Sequence, residues 1–196
     1  MSEITERYRS VAAGFTDGVI GVAPDAWSRP TPCSDSTARQ LMARAVSTRR
    51  RVSATLDTTE AVDDVAPESA TTALTAAPDD EGRASTVVGG MFGEQLFSSL
   101  VGRLICADTL VPTWDLARGT DQDGTLDAVA VAKAAEAPEP IDEAIRRPGG
   151  FSEKAAPAPG ADDQTRFLNF CGPRLTWPSS PPASVGGWRR GGCPSW

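Results

Sequence analysis

The stretch 96-LFSSLVGRLICADTLVPTWDLARG-119 carries the strongest structural signal in the chain. Leu96, Leu100, Leu104, Ala107, Val111 and Trp114 recur at helical spacing and line one long apolar face that runs towards Gly119. Pro112 stands well inside that pattern. A proline there withholds one backbone hydrogen bond, and its ring crowds the carbonyl four residues earlier, that of Asp108. The penalty is roughly 3 kcal/mol, and a kink is expected.

Working outward, the N-terminal segment repeats the pattern. Ile4, Tyr8, Val11, Phe15 and Val19 form an apolar stripe, stopped by Gly21 and Pro24. Two prolines in 27-WSRPTPC-33 favour an extended connection, and Ser34, Asp35 and Ser36 are all competent N-caps. From Thr37, the positions Leu41, Ala45, Thr48, Val52 and Leu56 mark a second helix. Residues 57–85 are weaker, with only a short helix predicted at 70–77. Thr86 to Gly93 reads as a short extended piece and a glycine-rich turn, and further helices are predicted at about 126–147 and 162–171.

Composition sets the limits. Hydrophobic residues make up 40% and charged residues 23% of 196, inside the globular range. Acidic side chains (26) outnumber basic ones (19), for a formal charge of -7. Such a surface repels phosphate backbones and anionic lipid, which argues against nucleic-acid or membrane partners. No apolar run is long enough to span a bilayer, and the first residues lack the features of a secretory signal. Cys33, Cys106, Cys171 and Cys193 lie far apart without a CxxC pair, so free buried thiols and a cytoplasmic protein are expected.

The absence of histidine removes several chemistries at once. It excludes Ser-His-Asp and Cys-His pairs, HExxH metal sites and imidazole acid–base catalysis. The run Gly89-Gly-Met-Phe-Gly93 lacks the lysine of a phosphate loop and reads as a turn. Cys106 and Cys171 read as core thiols rather than nucleophiles. Asp115 is expected to face solvent or a neighbouring loop. Glu139, Asp142 and Glu143 beside Arg146 and Arg147 form an ordinary charged helix face.

Four segments in order, 27-WSRPTPC-33, 106-CADTLVPTWDLARG-119, 141-IDEAIRRPGGF-151 and 164-QTRFLNFCG-172, resemble a known family. It is the DinB-like metal-binding four-helix bundles, in the branch related to the N-terminal domain of mycothiol-dependent maleylpyruvate isomerase. The resemblance covers roughly residues 5–172. It implies a mainly α four-helix bundle, with a short extended segment added, and a thiol-dependent isomerase or transferase ancestry. It also implies a divalent metal such as zinc between the helices, and a small thiol or other small molecule as ligand. The family's ligands are a histidine on the second helix and a carboxylate and a histidine four residues apart on a later one. Such a pair shares one helical face and can chelate one ion.

Carried over by position, those ligands fall on Arg44, Asp108 and Pro112, and of the three only Asp108 could ligate. Arg44 is a permanent cation and Pro112 has no donor atom. No cofactor is therefore expected, and no activity of the family's metal-dependent kind. An Arg44–Asp108 ion pair is the expected replacement for the lost dication, a solvated Arg44 being the alternative.

The final segment differs in kind. Residues 173–196 hold five prolines, four glycines, three of the five tryptophans and no acid, with neither helical nor strand periodicity. They read as an irregular, disordered tail behind a bundle spanning 1–172. Two alternatives to the enzyme relative stay open: a non-catalytic bundle binding a small molecule or a protein, and a diverged or frameshifted product without selected function. Single base changes convert histidine codons to arginine or proline, and the tail has the composition of a GC-rich gene read out of frame. Homodimerisation is left open by the exposed tryptophans.

Overall fold

The structure, a computed structural model, describes residues 2–33, 36–54, 79–89, 93–136, 146, 151 and 153–172. These are mainly helical, as the periodicity predicts. Helix α1 spans Glu3–Ile20. Ser2 caps it by accepting the Thr5 N–H at 3.2 Å, and Glu3 and Glu6 complement the positive end of its dipole. Tyr8, Val11 and Phe15 of the predicted stripe are buried, joined by Thr5 and Ala12.

The segment after α1 is more compact than two prolines imply. A 3₁₀ turn at Ala26–Ser28 leads into a chain reversal in which Pro30 bridges to Thr37. The Thr31 N–H donates to the Ser36 carbonyl at 2.9 Å and that of Ala38 to Arg29 at 3.0 Å, closing the loop. Helix α2, Ala38–Ala54, is capped by Thr37, while the candidates Ser34 and Asp35 lie outside the described residues. The Gln40 N–H donates to Thr37 Oγ1 at 3.3 Å while the Thr37 N–H donates to Gln40 Oε1 at 2.9 Å. This reciprocal capping box was legible as Thr-x-x-Gln.

A single turn, α3 (Glu81–Ala84), precedes a minimal hairpin. Strand β1 (Val87–Val88) pairs antiparallel with β2 (Gln95–Leu96), Val87 opposite Leu96. Leu96 therefore belongs to a strand and is 46% exposed, not the start of the helical stripe. Helix α4 (Phe97–Ser99) passes into a π-helical stretch, Leu100–Ile105, and then into α5, Cys106–Gly119. In a π turn hydrogen bonds close five residues back, so each turn consumes an extra residue and the buried face rotates. Phe97, Val101 and Ile105 point inward, while Leu100 and Leu104 are only half-buried. The predicted stripe is thus displaced by one residue over this region.

Helix α5 continues uninterrupted through Pro112. Threonine hydroxyls flank the proline, Thr109 Oγ1 donating to the Ile105 carbonyl and Thr113 Oγ1 to that of Thr109, each at 2.8 Å. Its close end is set by Gly119, where a β-carbon would lie 2.8 Å from Thr31 Cγ2 and 2.9 Å from the Pro30 carbonyl oxygen. Helix α6, Ala128–Ala135, is capped by Asp127, and α7, Asp163–Cys171, by Asp162. Gly172 ends α7 at φ 121°, a conformation that favours glycine.

The core forms around α5, which packs against α1, α2 and α6, with α7 closing over α6. Of three apolar clusters, one gathers Leu110, Val111 and Trp114 with Val131, Phe167 and Leu168. A second joins Ile105 and Cys106 to Tyr8 and Phe97, and a third seats Leu116 among Val22, Ala38 and Leu41. Among the described residues no helix is long and apolar enough to cross a membrane. The predicted helix at 70–77, the 126–147 helix beyond residue 136 (with Glu139, Asp142, Glu143 and Arg147), and the tail 173–196 lie outside the described residues.

Two substitutions test this frame. Pro112→Ala restores a backbone donor to α5 and is expected to stabilise the chain by about 1–3 kcal/mol, read by urea denaturation. Asp127 links helices, accepting from Ser10 Oγ at 2.5 Å as well as from the Ala130 N–H at 2.8 Å. Those hydrogen bonds, Ser10's foremost, hold its carboxyl below the ordinary value against the opposing effect of burial. A depressed folded-state pKa stabilises above the unfolded value of about 3.9 and is lost as pH falls through the lower folded one. Asp127→Ala should therefore cost about 1 kcal/mol at neutral pH, with the difference from the natural chain shrinking below about pH 4.

Candidate functional site

Helices α2 and α5 carry the three positions singled out by the sequence. Arg44, on α2, is half-buried and turns back to the loop before its own helix. Its Nη2 donates to Ser36 Oγ and approaches Cys33 Sγ at 3.4 Å. The carboxylate whose charge acts on it is that of Asp115. Burial lowers the Arg44 pKa and Asp115 opposes the shift, the net direction being downward. The predicted pairing of Arg44 with Asp108 is thus replaced by an attraction to a carboxylate about two turns further along α5.

Of the two surroundings expected for Asp115, solvent is ruled out, because it is 0% exposed. Helix α5 is covered on several sides at once, so few of its positions are left to water. Asp108 and Pro112 are both half-buried. The charge of Asp108 reaches the Tyr8 hydroxyl, on the α1 side of the bundle.

A second polar cluster lies between α1, α2 and α5. The Arg49 guanidinium sits 4.2 Å over the Phe15 ring, and Nη2 contacts Thr109 Oγ1 at 3.4 Å. Arg49 is only 6% exposed, so cation–π stabilisation acts in a largely desolvated setting. Tyr8 is fully buried beside it. Burial raises the Tyr8 pKa, Arg49 opposes that, and Cys106 and Asp108 add to the rise. The phenol stays neutral at physiological pH.

The cysteines divide into two kinds. Cys106 and Cys171 are free thiols, each 1% exposed. Burial pushes Cys106 to about 11, so it is a protonated core group and not a nucleophile, as the sequence reading has it. Cys33 departs from that reading, being disulfide-bonded.

The donor set does not fit a metal ion. Arg44 brings a positive charge to the second-helix position, Pro112 brings no lone pair, and Asp108 alone cannot hold a divalent cation tightly. Among the described residues no three His, Cys, Asp or Glu side chains converge on a common point. No protein-family model, no curated protein and no solved structure matches the chain.

Sequence reasoning missed Ser36, Asp115 and Arg49 as polar partners. Arg49 could have been found, since it lies four residues after Ala45 and three before Val52, on the buried face of α2. The run Arg49-Arg50-Arg51 hid which of the three points inward.

A double-mutant cycle separates the two carboxylates. Arg44→Met with Asp115→Asn should show a coupling of about 1 kcal/mol or more, whereas Arg44→Met with Asp108→Asn should be additive to within about 0.3 kcal/mol. Denaturant midpoints of the six proteins provide the measurement.

Proposed function

We propose that this chain is a DinB-like four-helix bundle that has exchanged its metal for an internal guanidinium and acts as a non-catalytic binding bundle. In this reading α1, α2, α5 and α6 are the four helices. The ancestry is that of thiol-dependent isomerases or transferases of the mycothiol-dependent maleylpyruvate isomerase branch. The observation that carries the proposal is Arg44: at the position of the family's second-helix histidine stands a cation held by Ser36 and attracted by buried Asp115. A dication removed from between helices leaves carboxylates that still require positive charge, and one guanidinium meets that need without a metal. With no imidazole available, neither a metal-bound nucleophile nor proton transfer through histidine is part of the proposed role.

Bound divalent metal in the purified protein is the deciding measurement, together with zinc and nickel titration after chelation. The natural chain should hold no stoichiometric metal and bind neither ion more tightly than about 10 μM. An Arg44→His/Pro112→His variant should gain stoichiometric zinc at sub-micromolar Kd, roughly a tenfold or greater gain. Tight binding by the natural chain would overturn the exchange of metal for guanidinium. Failure of a folded double variant to bind would instead remove the positional correspondence with the family.

A further inference from the structure

A cavity of about 340 Å³ opens on another side of the bundle, between the first turns of α1, the π-helical stretch, α6 and α7. Neither Arg44, Asp108, Pro112 nor Asp115 lines it. Three aromatic rings, Phe151, Phe167 and Phe170, line it together with the small side chains Ala107 and Ala134. Two cations, Arg7 and Lys133, and two carboxylates, Glu3 and Glu136, line it as well.

The two cations are not equivalent. Lys133 Nζ is held by Glu136 at 3.2 Å, and its side chain is 42% exposed, so water and an acid already answer its charge. The Arg7 side chain is only 11% exposed. Its one ion-pair partner among the described residues is Glu3, at 3.8 Å and itself 78% exposed, a loose contact worth little. Arg7 Nε is buried and has no hydrogen-bond partner among the described residues. A largely desolvated guanidinium whose one described ion pair is this loose one is costly unless an anion reaches its terminal nitrogens, where a carboxylate makes charge-assisted hydrogen bonds.

We propose that this cavity is a binding site for a small monocarboxylate with an aromatic or branched apolar body, its carboxylate on Arg7 and its body against Phe151, Phe167 and Phe170. The size follows from the volume: at about 30 Å³ per water in the liquid, the space holds a solute about the size of eleven waters, or roughly a dozen non-hydrogen atoms. With Lys133 held by Glu136 and Arg7 met only loosely by exposed Glu3, Arg7 favours an anion over a neutral amide of the same shape. The inference is independent of the reading of Arg44 and holds whether or not the chain belongs to a metal-binding lineage.

The test uses 4-phenylbutyrate and its neutral amide, 4-phenylbutanamide, titrated calorimetrically into the full chain at neutral pH. The acid should bind with a Kd between about 10 μM and 1 mM, and the amide at least tenfold more weakly. In Arg7→Gln the preference should vanish, acid and amide binding alike. Cys171 also lines the cavity, so the acid should slow its alkylation by N-ethylmaleimide at least threefold, read peptide by peptide, while leaving Cys106 unchanged. This readout needs no variant and decides the matter if Arg7→Gln does not fold. The proposal is overturned if the acid does not bind at 10 mM, if the natural chain binds amide and acid equally, if Arg7→Gln keeps the preference, or if Cys171 gains no protection.

Discussion

Everything in this fold leans on one helix. Residues of Cys106–Gly119 enter the cluster beneath α6 and α7 and the cluster beneath α2, and Cys106 enters the one beneath α1. A helix apolar on so much of its circumference cannot lie on a surface; it must be surrounded. That constraint explains why a carboxylate at 115 is wholly buried, and why the chain tolerates a proline at 112. Packing from three sides outweighs the loss of a single backbone hydrogen bond.

Burial of that helix also sets the electrostatic problem that the rest of the molecule must answer. A carboxylate enclosed by apolar neighbours is unfavourable by several kcal/mol unless a positive charge approaches it. Here Arg44 approaches from α2 and Arg49 lies in the neighbouring cluster, stacked on Phe15. A guanidinium spreads its charge over a plane and keeps it at any physiological pH, so it serves as a permanent structural counter-ion. It cannot activate water or polarise a carbonyl as a Lewis acid does.

How far the sequence could be read depended on how regular each element is. The stripe Tyr8, Val11, Phe15 placed α1 correctly because an unbroken α-helix keeps its period from end to end. Leu41, Ala45 and Thr48 did the same for α2. The reading slipped where local geometry changed the period, as at Leu100 and Leu104, or where two strand residues replaced a helical start, as at Leu96. For Asp115 it left both solvent and a neighbouring loop open, because a polar residue in an apolar run carries no sign of whether its charge is met by water or by protein. Thr37 shows a different case, in which the capping signal was present in Thr-x-x-Gln but three stronger-looking candidates stood just before it. Of the positions drawn from the resemblance, Arg44 and Asp108 lie on facing elements, yet the partner of Arg44 was decided by tertiary packing that no spacing encodes. The cavity beside Arg7 was invisible for the same reason, its walls coming from five separate stretches of chain.

The π-helical stretch at Leu100–Ile105 has an evolutionary consequence. A π segment is, in sequence terms, an α-helix carrying one surplus residue. Removing one residue there would let the segment wind as ordinary α-helix without disturbing the register of Cys106–Gly119 against its neighbours. The stretch is therefore a tolerated site for length variation inside an otherwise rigid core. Chains that share this architecture can differ by one residue at that point while keeping the same buried face downstream, and an alignment that forbids gaps within helices would misplace every position before it.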